Sequence, residues 1–465
     1  MSTPIIPGLD PDEQATFARL TEQIETHAAN NRLRTALYEG EHLARNLSSR
    51  DAGRYARAAQ VIGWPAKAVD LLARRITLAG VETLGESAPS AEQVWRDNRL
   101  AAESASATIS ALLHGVCFVT VTKGGAGEPG ALIHVVDALS GSGDWNPRTR
   151  QLDTFLAIHA RSTSEGSTPT AFTLYLPGQI LTAQRDSHGR WMIARVAQPG
   201  PIPVEALVPR YRAGKPMGSS RISKSVIGLT EAAMRTVIRM EGNADIYSIP
   251  QLVLLGATDE DFQTGTGTPS AAWTSAWGRI FGLPDNDDGT VPRADLKVIQ
   301  GQSPQPHIDQ LRQYAQLFSG ETSIPVTSLG VSDISNPTSA DSYIASREDL
   351  ISEAEAAADA MTPSWERIMG WALAFQAGLD QPDPSWDLSA RWRPPAHASR
   401  AAQADAGFKQ ITALPWLAET TVGPELIGLN DEQSDRAASE RRQGQGMRLL
   451  QQIASATAPD VEAGD

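Results

Sequence analysis

A change of hydrophobic period at Gly115 constrains this fold more than any other feature of the sequence. Before it, from residue 11 to residue 113, apolar residues recur at helical spacing. After it, residues 116–121 form a continuous apolar run rich in β-branched side chains, which is typical of a buried strand. Shorter strand-like runs continue to about residue 210. Helices and strands that occupy separate stretches of one chain predict an α+β fold.

The strand-rich stretch contains four further predicted strands and two predicted irregular segments. The strands are residues 133–136, 155–158, 172–176 and 191–196. The glycine-rich residues 141–144 predict a turn, because glycine and serine are common at tight reversals of the chain. Residues 211–220 are small and interrupted by a proline, which predicts a linker.

The C-terminal half is predicted to be mainly helical. One helix begins at Ser223 and ends near Gly242. Thr362 and Pro363 predict the start of a new helix, because proline is tolerated in the first turn. The other predicted elements are helices over residues 306–320 and 339–361, a strand at 296–299, and, after an aromatic and proline-rich stretch at 386–395, two or three polar helices over 401–456.

Composition excludes several classes of protein. The formal net charge of −14 argues against a protein that coats nucleic acid through a basic surface. The single cysteine, Cys117, excludes a disulfide framework and a zinc site built from cysteines. Neither a signal peptide nor a membrane span is recognisable, so we expect a soluble protein that does not enter the secretory route.

Motifs for catalysis are missing from the sequence. The Gly141-Ser142-Gly143 segment lacks the spacing of a nucleophile elbow, and no glycine-rich loop is followed by the lysine of a phosphate-binding loop. The eight histidines are scattered without metal-ligand spacing, and Cys117 lies inside an apolar strand. We therefore predict no catalytic residue, no metal and no cofactor.

Four of the eleven tryptophans crowd one region of the sequence. They are Trp365, Trp371, Trp386 and Trp392. Aromatic residues at helical spacing usually pack in a core, and they are also enriched at protein interfaces. We predict these tryptophans to be anchors of the core or of a subunit interface.

Several short phrases, in this order and at this spacing, resemble the portal proteins of tailed bacteriophages, of the long-tailed type that infects actinobacterial hosts. They cover about residues 30–445. The phrases are Tyr38-Glu39-Gly40, WPAKAVDLLARRITLAG at 64–80, Trp95-Arg96-Asp97-Asn98, LHGVCFV at 113–119, Arg221-Ile222-Ser223, YSIPQ at 247–251 and NPTSAD at 336–341.

The resemblance implies a portal fold and a set of segment boundaries. The fold comprises a wing, a stem, a clip and a crown, in a ring of normally twelve copies around a channel. The segments are the wing (1–217), the first stem helix (218–241), the clip (242–305), the second stem helix (306–326), the tunnel loop (327–338), a long helix returning to the wing (339–400), and the crown and C-terminal tail (401–465).

The resemblance also implies a function and partners. The ring would form the unique capsid vertex and the channel for DNA packaging and ejection, in the virion and, during assembly, in the host cytoplasm. Its partners would be the terminase large subunit, head–tail adaptor proteins, and the major capsid and scaffold proteins. Double-stranded DNA would pass through the channel without tight binding, because a strongly acidic ring disfavours phosphate contacts.

Residues of the first stem helix and the tunnel loop are the candidates for contact with DNA in the channel. They are Lys224, Arg235 and Arg239 in the helix, and Ser332, Asp333, Ser335 and Asn336 in the loop. The alternative for the two arginines is an ion pair with Glu231. The alternative for the loop is that it is an ordinary connection between two helices. At the level of function, the alternatives are an intracellular helical interaction scaffold and, less favoured, a hydrolase with a dispersed active site.

Overall fold

The structure is a computed structural model of the chain. It describes residues 4–43, 62–84, 89–162, 168–247, 251–255, 295–299, 302–331, 347–396, 400–420, 422–429 and 431–456. The chain divides into two compact units, Met1–Pro395 and Ala396–Asp465. We call them unit 1 and unit 2.

Unit 1 contains seven described helices and twelve described strands. The helices are α1 (Pro11–Tyr38), α2 (Trp64–Ala73), α3 (Glu92–Asp97), α4 (Leu100–His114), α5 (Lys224–Tyr247), α6 (Gln305–Thr322) and α7 (Glu348–Gln376). The strands are β1 (Leu78–Leu84), β2 (Cys117–Lys123), β3 (Ala131–Asp137), β4 (Gly141–Asn146), β5 (Gln151–Arg161), β6 (Pro169–Leu176), β7 (Gly178–Arg185), β8 (Trp191–Gln198), β9 (Val204–Leu207), β10 (Gln251–Leu255), β11 (Asp295–Ile299) and β12 (Asp387–Trp392). The predicted α+β class is confirmed.

An antiparallel sheet of five strands, in the order β4-β5-β6-β7-β8, carries α1 on one face. Phe17 on α1 packs against Phe172 on β6, with 4.5 Å between ring centroids. The helix starts with a capping box, in which Asp10 and Glu13 satisfy each other's backbone N–H groups. The apolar stripe of α1 is therefore the side of the helix that packs into one hydrophobic core of unit 1.

A second sheet, in the order β3-β2-β9, packs against the other face of the five-stranded sheet. Phe118 on β2 lies 4.8 Å from Phe155 on β5, measured between ring centroids. Val119 and Val121 point the opposite way, into the largest core, which also includes helices α2, α4 and α7. Strand β2 is thus buried on both faces, which explains its continuous apolar sequence.

Helix α7 is one helix of 29 residues, so the predicted new start at Thr362 and Pro363 is wrong. Pro363 lies inside the helix, where it removes one backbone hydrogen bond at a cost of about 3 kcal/mol. Burial of apolar side chains on both sides of the proline, including Met361 and Trp365, offsets that cost. The tertiary packing of α7 therefore outweighs the helix-breaking tendency of Pro363.

Two other expectations from local composition are wrong. Residues 141–144 belong to strand β4 and do not form a turn. The helical pattern before Gly115 is interrupted by Arg99, which has a φ of 51° and separates α3 from α4. The proline-rich stretch, for which the sequence predicts no element, contains β12, which pairs with β1. The predicted linker is irregular, yet Ser220 is buried and donates a hydrogen bond of 2.6 Å to the carbonyl of Leu113.

Unit 2 is helical. It contains α8 (Arg400–Ala413), α9 (Val422–Leu426) and α10 (Asp431–Ala456), and a 3₁₀ helix at Pro415–Glu419 lies between the first two. This agrees with the predicted two or three polar helices over 401–456.

Candidate functional site

Helices α5 and α6 of unit 1 pack against each other. Strands β10 and β11, which follow α5 and precede α6, pair antiparallel in register from Gln251–Ile299 to Leu255–Asp295. At one end of the pair, the Ser223 hydroxyl donates a hydrogen bond of 3.0 Å to the Glu321 carboxylate. The start of α5 and the end of α6 are therefore adjacent, as a paired stem requires.

Arg221 joins the place where α5 begins and α6 ends to the rest of unit 1. Its guanidinium is buried and donates to the carbonyls of Ala68 and Thr322, both at 2.6 Å. It also forms a salt bridge with Glu353 on α7. Burial lowers the pKa of Arg221, and the nearby Glu353 carboxylate opposes that shift. One side chain thus connects α2, the end of α6 and α7.

The sequence singled out Arg221 only as part of a phrase and assigned it no role. A lone arginine beside a predicted linker is ordinarily exposed. Its partners are two backbone carbonyls more than a hundred residues away along the chain, and carbonyls leave no signal in the sequence. Only the fold brings them together.

The three basic candidates on α5 differ in their surroundings. Lys224 and Arg239 are exposed, Lys224 at the start of the helix and Arg239 in its second half. Arg235 is partly buried, and its guanidinium lies 3.8 Å from the Glu231 carboxylate, an intrahelical pair of the kind that the sequence left open. Glu231 also contacts His42, at 3.2 Å. The roles of all three in a channel remain predictions.

The start of the predicted tunnel loop is attached to α2. A 3₁₀ turn covers Val326–Leu329. Lys67 donates to the carbonyl of Ser328 at 2.6 Å, and the Trp64 indole donates to the carbonyl of Leu329 at 3.3 Å. The four residues of this loop that are candidates for contact with DNA lie outside the described residues. They are Ser332, Asp333, Ser335 and Asn336.

The four tryptophans separate into two pairs. Trp365 and Trp371 are 1% and 5% exposed in the core of unit 1, so a subunit interface is not their role, and the core alternative applies. Trp386 and Trp392 are half-buried against the same core, and the Trp392 indole donates to the Thr362 hydroxyl at 2.8 Å. Only this second pair keeps enough surface for an interface.

A cavity of about 480 Å³ lies beside Trp386. Trp371, Pro382 and Trp386 line it, and its wall includes the ion pair between Glu205 and Arg367, whose two hydrogen bonds are both 2.8 Å long. Burial raises the pKa of Glu205, and the arginine opposes the shift. Since each charge of the pair is satisfied by the other, the pair stabilises the wall and leaves neither group activated.

A hydrolase would require a histidine such as His114 or His159 to contact both a nucleophile and a carboxylate, and the described hydrogen bonds of these two do not form such an arrangement. His114 accepts from or donates to the Thr35 hydroxyl at 3.1 Å, and its Nδ1 has no hydrogen-bond partner among the described residues. His159 pairs with the Thr173 hydroxyl at 2.9 Å. Neither contact has the orienting carboxylate that activates a nucleophile.

Neither a metal-binding cluster nor a reactive thiol occurs in the described part of the chain. Within the described residues, no group of three or more histidine, cysteine or acidic side chains is placed to hold a metal ion. Cys117 is fully buried, and burial raises the pKa of its thiol to about 12. Among the helices of the described ranges, none is long and apolar enough to cross a membrane.

The model of the family "Phage portal protein, SPP1 Gp6-like" matches residues 18–447. That range is nearly the whole chain, and it includes α5, α6, Arg221 and most of unit 2. The chain belongs to this family. The resemblance carried by the short sequence phrases is thereby confirmed.

Individual portal proteins agree with the family. The portal protein of Mycobacterium phage D29 is 25% identical over 423 residues, which cover 88% of this chain and 84% of the relative. The portal protein of Mycobacterium phage L5 is 26% identical over 413 residues, which cover 83% of each chain. Both come from phages of an actinobacterial host, as the sequence phrases predicted.

Solved structures with some likeness to this portal chain come from necks of GTA particles. A chain of "Neck of native GTA particle computed with C12 symmetry" is 15% identical with a TM-score of 0.39, covering 85% of this chain and 98% of its own. A chain of "Neck of empty GTA particle computed with C6 symmetry" is also 15% identical, with a TM-score of 0.40 and the same coverage.

Proposed function

We propose that this portal-family chain assembles into a closed ring at one vertex of a phage capsid and forms the channel through which the genome enters and leaves. The observation that carries the proposal is the match of the portal family model to residues 18–447. Two mycobacteriophage relatives that bear the name portal protein support it over more than four-fifths of the chain.

The pairing of α5 and α6 supports the assignment of a stem. Two long helices that begin and end at one point can extend away from the body of each subunit and line a common channel. The hydrogen bonds from Ser223 and Arg221 fix both ends at the base. We assign the first stem helix to 218–241, the clip to 242–305 and the second stem helix to 306–326.

The remaining segments complete the proposal. Residues 1–217 form the wing, 327–338 the tunnel loop, 339–400 the return to the wing, and 401–465 the crown and tail. Lys224, Arg239 and, less directly, Arg235 are the candidates for transient contact with DNA phosphates. Because the whole chain carries a net charge of −14, these contacts do not add up to tight binding.

The proposed partners follow from the position at the vertex. During packaging the ring binds the terminase large subunit, which supplies the ATP hydrolysis, and afterwards the head–tail adaptor proteins. The major capsid and scaffold proteins surround it. The chain itself acts without catalysis, in the virion after assembly and in the host cytoplasm before it.

Imaging of the purified full-length chain tests the ring. Negative-stain electron microscopy at several salt concentrations is expected to show closed rings with a central hole, and mass photometry to give one multiple of the subunit mass near twelve. Monomers or dimers under all conditions would contradict the proposal and favour a helical interaction scaffold. Esterase and phosphatase assays on the same sample address the hydrolase alternative.

A further inference from the structure

A second cavity in unit 1, of about 450 Å³, lies where three parts of the chain meet. One wall comes from the middle of α1, from Gln23 to Arg34, and another from residues 215–220. The third comes from His114 and the strands that follow it, as far as Gly143. Its volume lies in the range of pockets that bind small molecules, so the chemistry of its walls indicates what it can hold.

The ionisable side chains on these walls are all basic. Arg34 and Lys215 line the cavity together with His27 and His114, and among the described residues no aspartate or glutamate does. The chain as a whole has 54 acidic and 40 basic side chains, so a wall without any carboxylate departs from its average surface. We therefore expect a positive electrostatic potential in the cavity, which attracts anions.

Arg34 has no carboxylate partner among the described residues. Its Nη1 donates to the side-chain oxygen of Asn31 at 3.0 Å and to the carbonyl of His114 at 3.4 Å, and both acceptors are uncharged. Its Nε and Nη2 groups have no acceptor in the described part of the chain. Partial burial lowers the pKa of the guanidinium, and no carboxylate opposes that shift. A desolvated charge without a counter-charge is costly, and an anion in the cavity would reduce that cost.

Two acidic side chains near the cavity already have other partners. Asp144 accepts from Gln23 at 3.3 Å, but it also forms a salt bridge with Arg19 and accepts from the Thr154 hydroxyl. Asp137 accepts from two backbone N–H groups that follow it in the chain, at 2.9 and 3.2 Å. Neither carboxylate pairs with Arg34.

The wall contains a second polar group whose hydrogen bonds are incomplete. His114 is 9% exposed, and its Nδ1 is buried without a partner among the described residues, whereas its Nε2 lies 3.1 Å from the Thr35 hydroxyl. Buried polar atoms are normally paired, so an exception marks a place where a ligand or an ordered water completes the network. Because Arg34 contacts the carbonyl of this same histidine, both incomplete groups belong to one part of the wall.

We propose that this cavity binds a small oxyanion, a phosphate or a carboxylate, between Arg34 and Lys215. The free Nε and Nη2 of the guanidinium form a fork that fits two oxygens of such a group. Lys215 is exposed and its ammonium group has no partner among the described residues, so it can turn toward the anion. Ile24, Val116 and Phe118 add apolar wall, beside which charge-assisted hydrogen bonds are stronger than in water. This site goes beyond the proposed function and needs only one copy of the chain.

Calorimetric titration of the full-length protein with inorganic phosphate, at an ionic strength held constant with sodium chloride, tests the site. We expect one site per chain with a Kd below about 1 mM. Arg34→Gln is expected to raise the Kd by about tenfold or more, because it removes charge-assisted hydrogen bonds. Lys215→Gln should raise it by roughly two- to fivefold, as suits an exposed charge. The same titration with acetate compares a carboxylate with phosphate.

Arg32→Gln is the matched control. Arg32 lies on the same helix, is exposed and does not line the cavity, so the variant makes the same change of charge outside the site. Its Kd should stay within about twofold of the wild type, because salt screens an exposed charge. Thermal unfolding of each variant shows whether it is folded. If Arg34→Gln does not fold, Lys215→Gln still tests the site, because its side chain has no described hydrogen bond to lose.

Binding of phosphate or acetate to the wild type, weakened by the variants of Arg34 or Lys215 and not by the control, supports the inference. Two results overturn it. One is a wild type that binds neither anion up to about 10 mM, tenfold above the expected Kd. The other is binding that the control weakens as much as the cavity variants do, which would show a general response to charge. Both results leave the proposed ring untouched, because imaging measures assembly separately.

Discussion

Arg221 is the residue that connects the most elements where α5 begins and α6 ends. It is buried, donates to two carbonyls and pairs with Glu353, so its removal leaves three acceptors without their partner. We expect Arg221→Ala to lower the free energy of unfolding by about 3 kcal/mol or more. Arg221→Lys is expected to recover only part of the loss, because an ammonium group cannot match the fixed fork of a guanidinium.

Urea denaturation of the full-length variants, followed by tryptophan fluorescence, checks this expectation. Arg96→Ala is the control, because Arg96 pairs with Glu92 in an exposed salt bridge on α3. Such surface pairs contribute between about 0 and 1 kcal/mol. Equal losses in the two alanine variants would contradict the role of Arg221.

The thiol of Cys117 provides a second test at the scale of residues. Burial raises its pKa to about 12, so the thiol remains protonated and inaccessible at neutral pH. Since the thiolate is the reactive species, we expect Ellman's reagent to label the native protein only at the rate of unfolding. In denaturant it should label one thiol per chain immediately. Rapid labelling of the native protein would contradict the burial of β2.

Two histidines with lowered pKa values predict the response of stability to acid. Burial lowers the pKa of His114, and partial desolvation together with the nearby His134 lowers the pKa of the more exposed His159, so the folded state binds protons less readily than the unfolded state. Above the pKa that these histidines have in the unfolded state, they do not lower the stability of the fold. As the pH falls below that pKa, the unfolded state binds protons first and stability is lost. We expect the thermal unfolding midpoint of the wild type to decrease when the pH is lowered from about 7.5 to about 5.5. The double variant His114→Gln, His159→Gln should have a flatter profile, and parallel profiles would refute the assignment.

At the scale of elements, Gly115 decides how α4 passes into β2. It has a φ of +105°, and a Cβ there would lie 3.0 Å from the backbone of Ser219 and Ser220. Strain and close contact both oppose a side chain. We expect Gly115→Ala to destabilise the fold by about 1–3 kcal/mol, whereas Gly320→Ala on α6, where no atom lies within 4 Å, should be neutral or stabilise by up to about 1 kcal/mol. Thermal unfolding of the two variants compares them directly.

Long elements with a clear hydrophobic period could be predicted from the sequence, and elements that depend on distant contacts could not. Helix α1 begins at Pro11, where the helical spacing of apolar residues begins in the sequence, because that spacing is local information. Gly141 and Gly143 in strand β4 predict a turn, but they are needed for close packing inside the strand and not for a chain reversal. An added Cβ would approach the Phe155 ring to 2.8 Å at Gly141 and the carbonyl oxygen of Thr154 to 2.7 Å at Gly143. Close packing, not chain reversal, requires glycine there.

The candidate site divides in the same way. Helices α5 and α6 and the basic side chains on α5 could be predicted, because helical spacing and charge are properties of the local sequence. The connection through Arg221 was not, because its carbonyl partners carry no residue-specific signal. The sequence predicts either a core role or an interface role for Trp365 and Trp371. Their burial in the packing of α7 favours the core role.

At the scale of the whole molecule, the net charge of −14 per chain determines how a ring of such chains meets DNA. Binding to the phosphate backbone gains its free energy from the release of counterions by basic side chains, and an acidic ring offers few of these. We therefore expect purified rings to bind linear duplex DNA no more tightly than about 10⁻⁶ M at physiological salt, within the range of non-specific binding. A mobility-shift titration at several salt concentrations measures both the affinity and its salt dependence.

The variant Lys224→Gln, Arg239→Gln extends this test to the channel. If these exposed side chains touch phosphates, their removal should reduce the slope of affinity against salt concentration, because fewer counterions are released on binding. Arg96→Gln, on α3 and outside the proposed stem, is the control and should leave the slope unchanged. Nanomolar affinity of the wild type would show that the ring grips DNA and would overturn the idea of a passive channel. A slope that the stem variant and the control share would remove Lys224 and Arg239 from the channel wall.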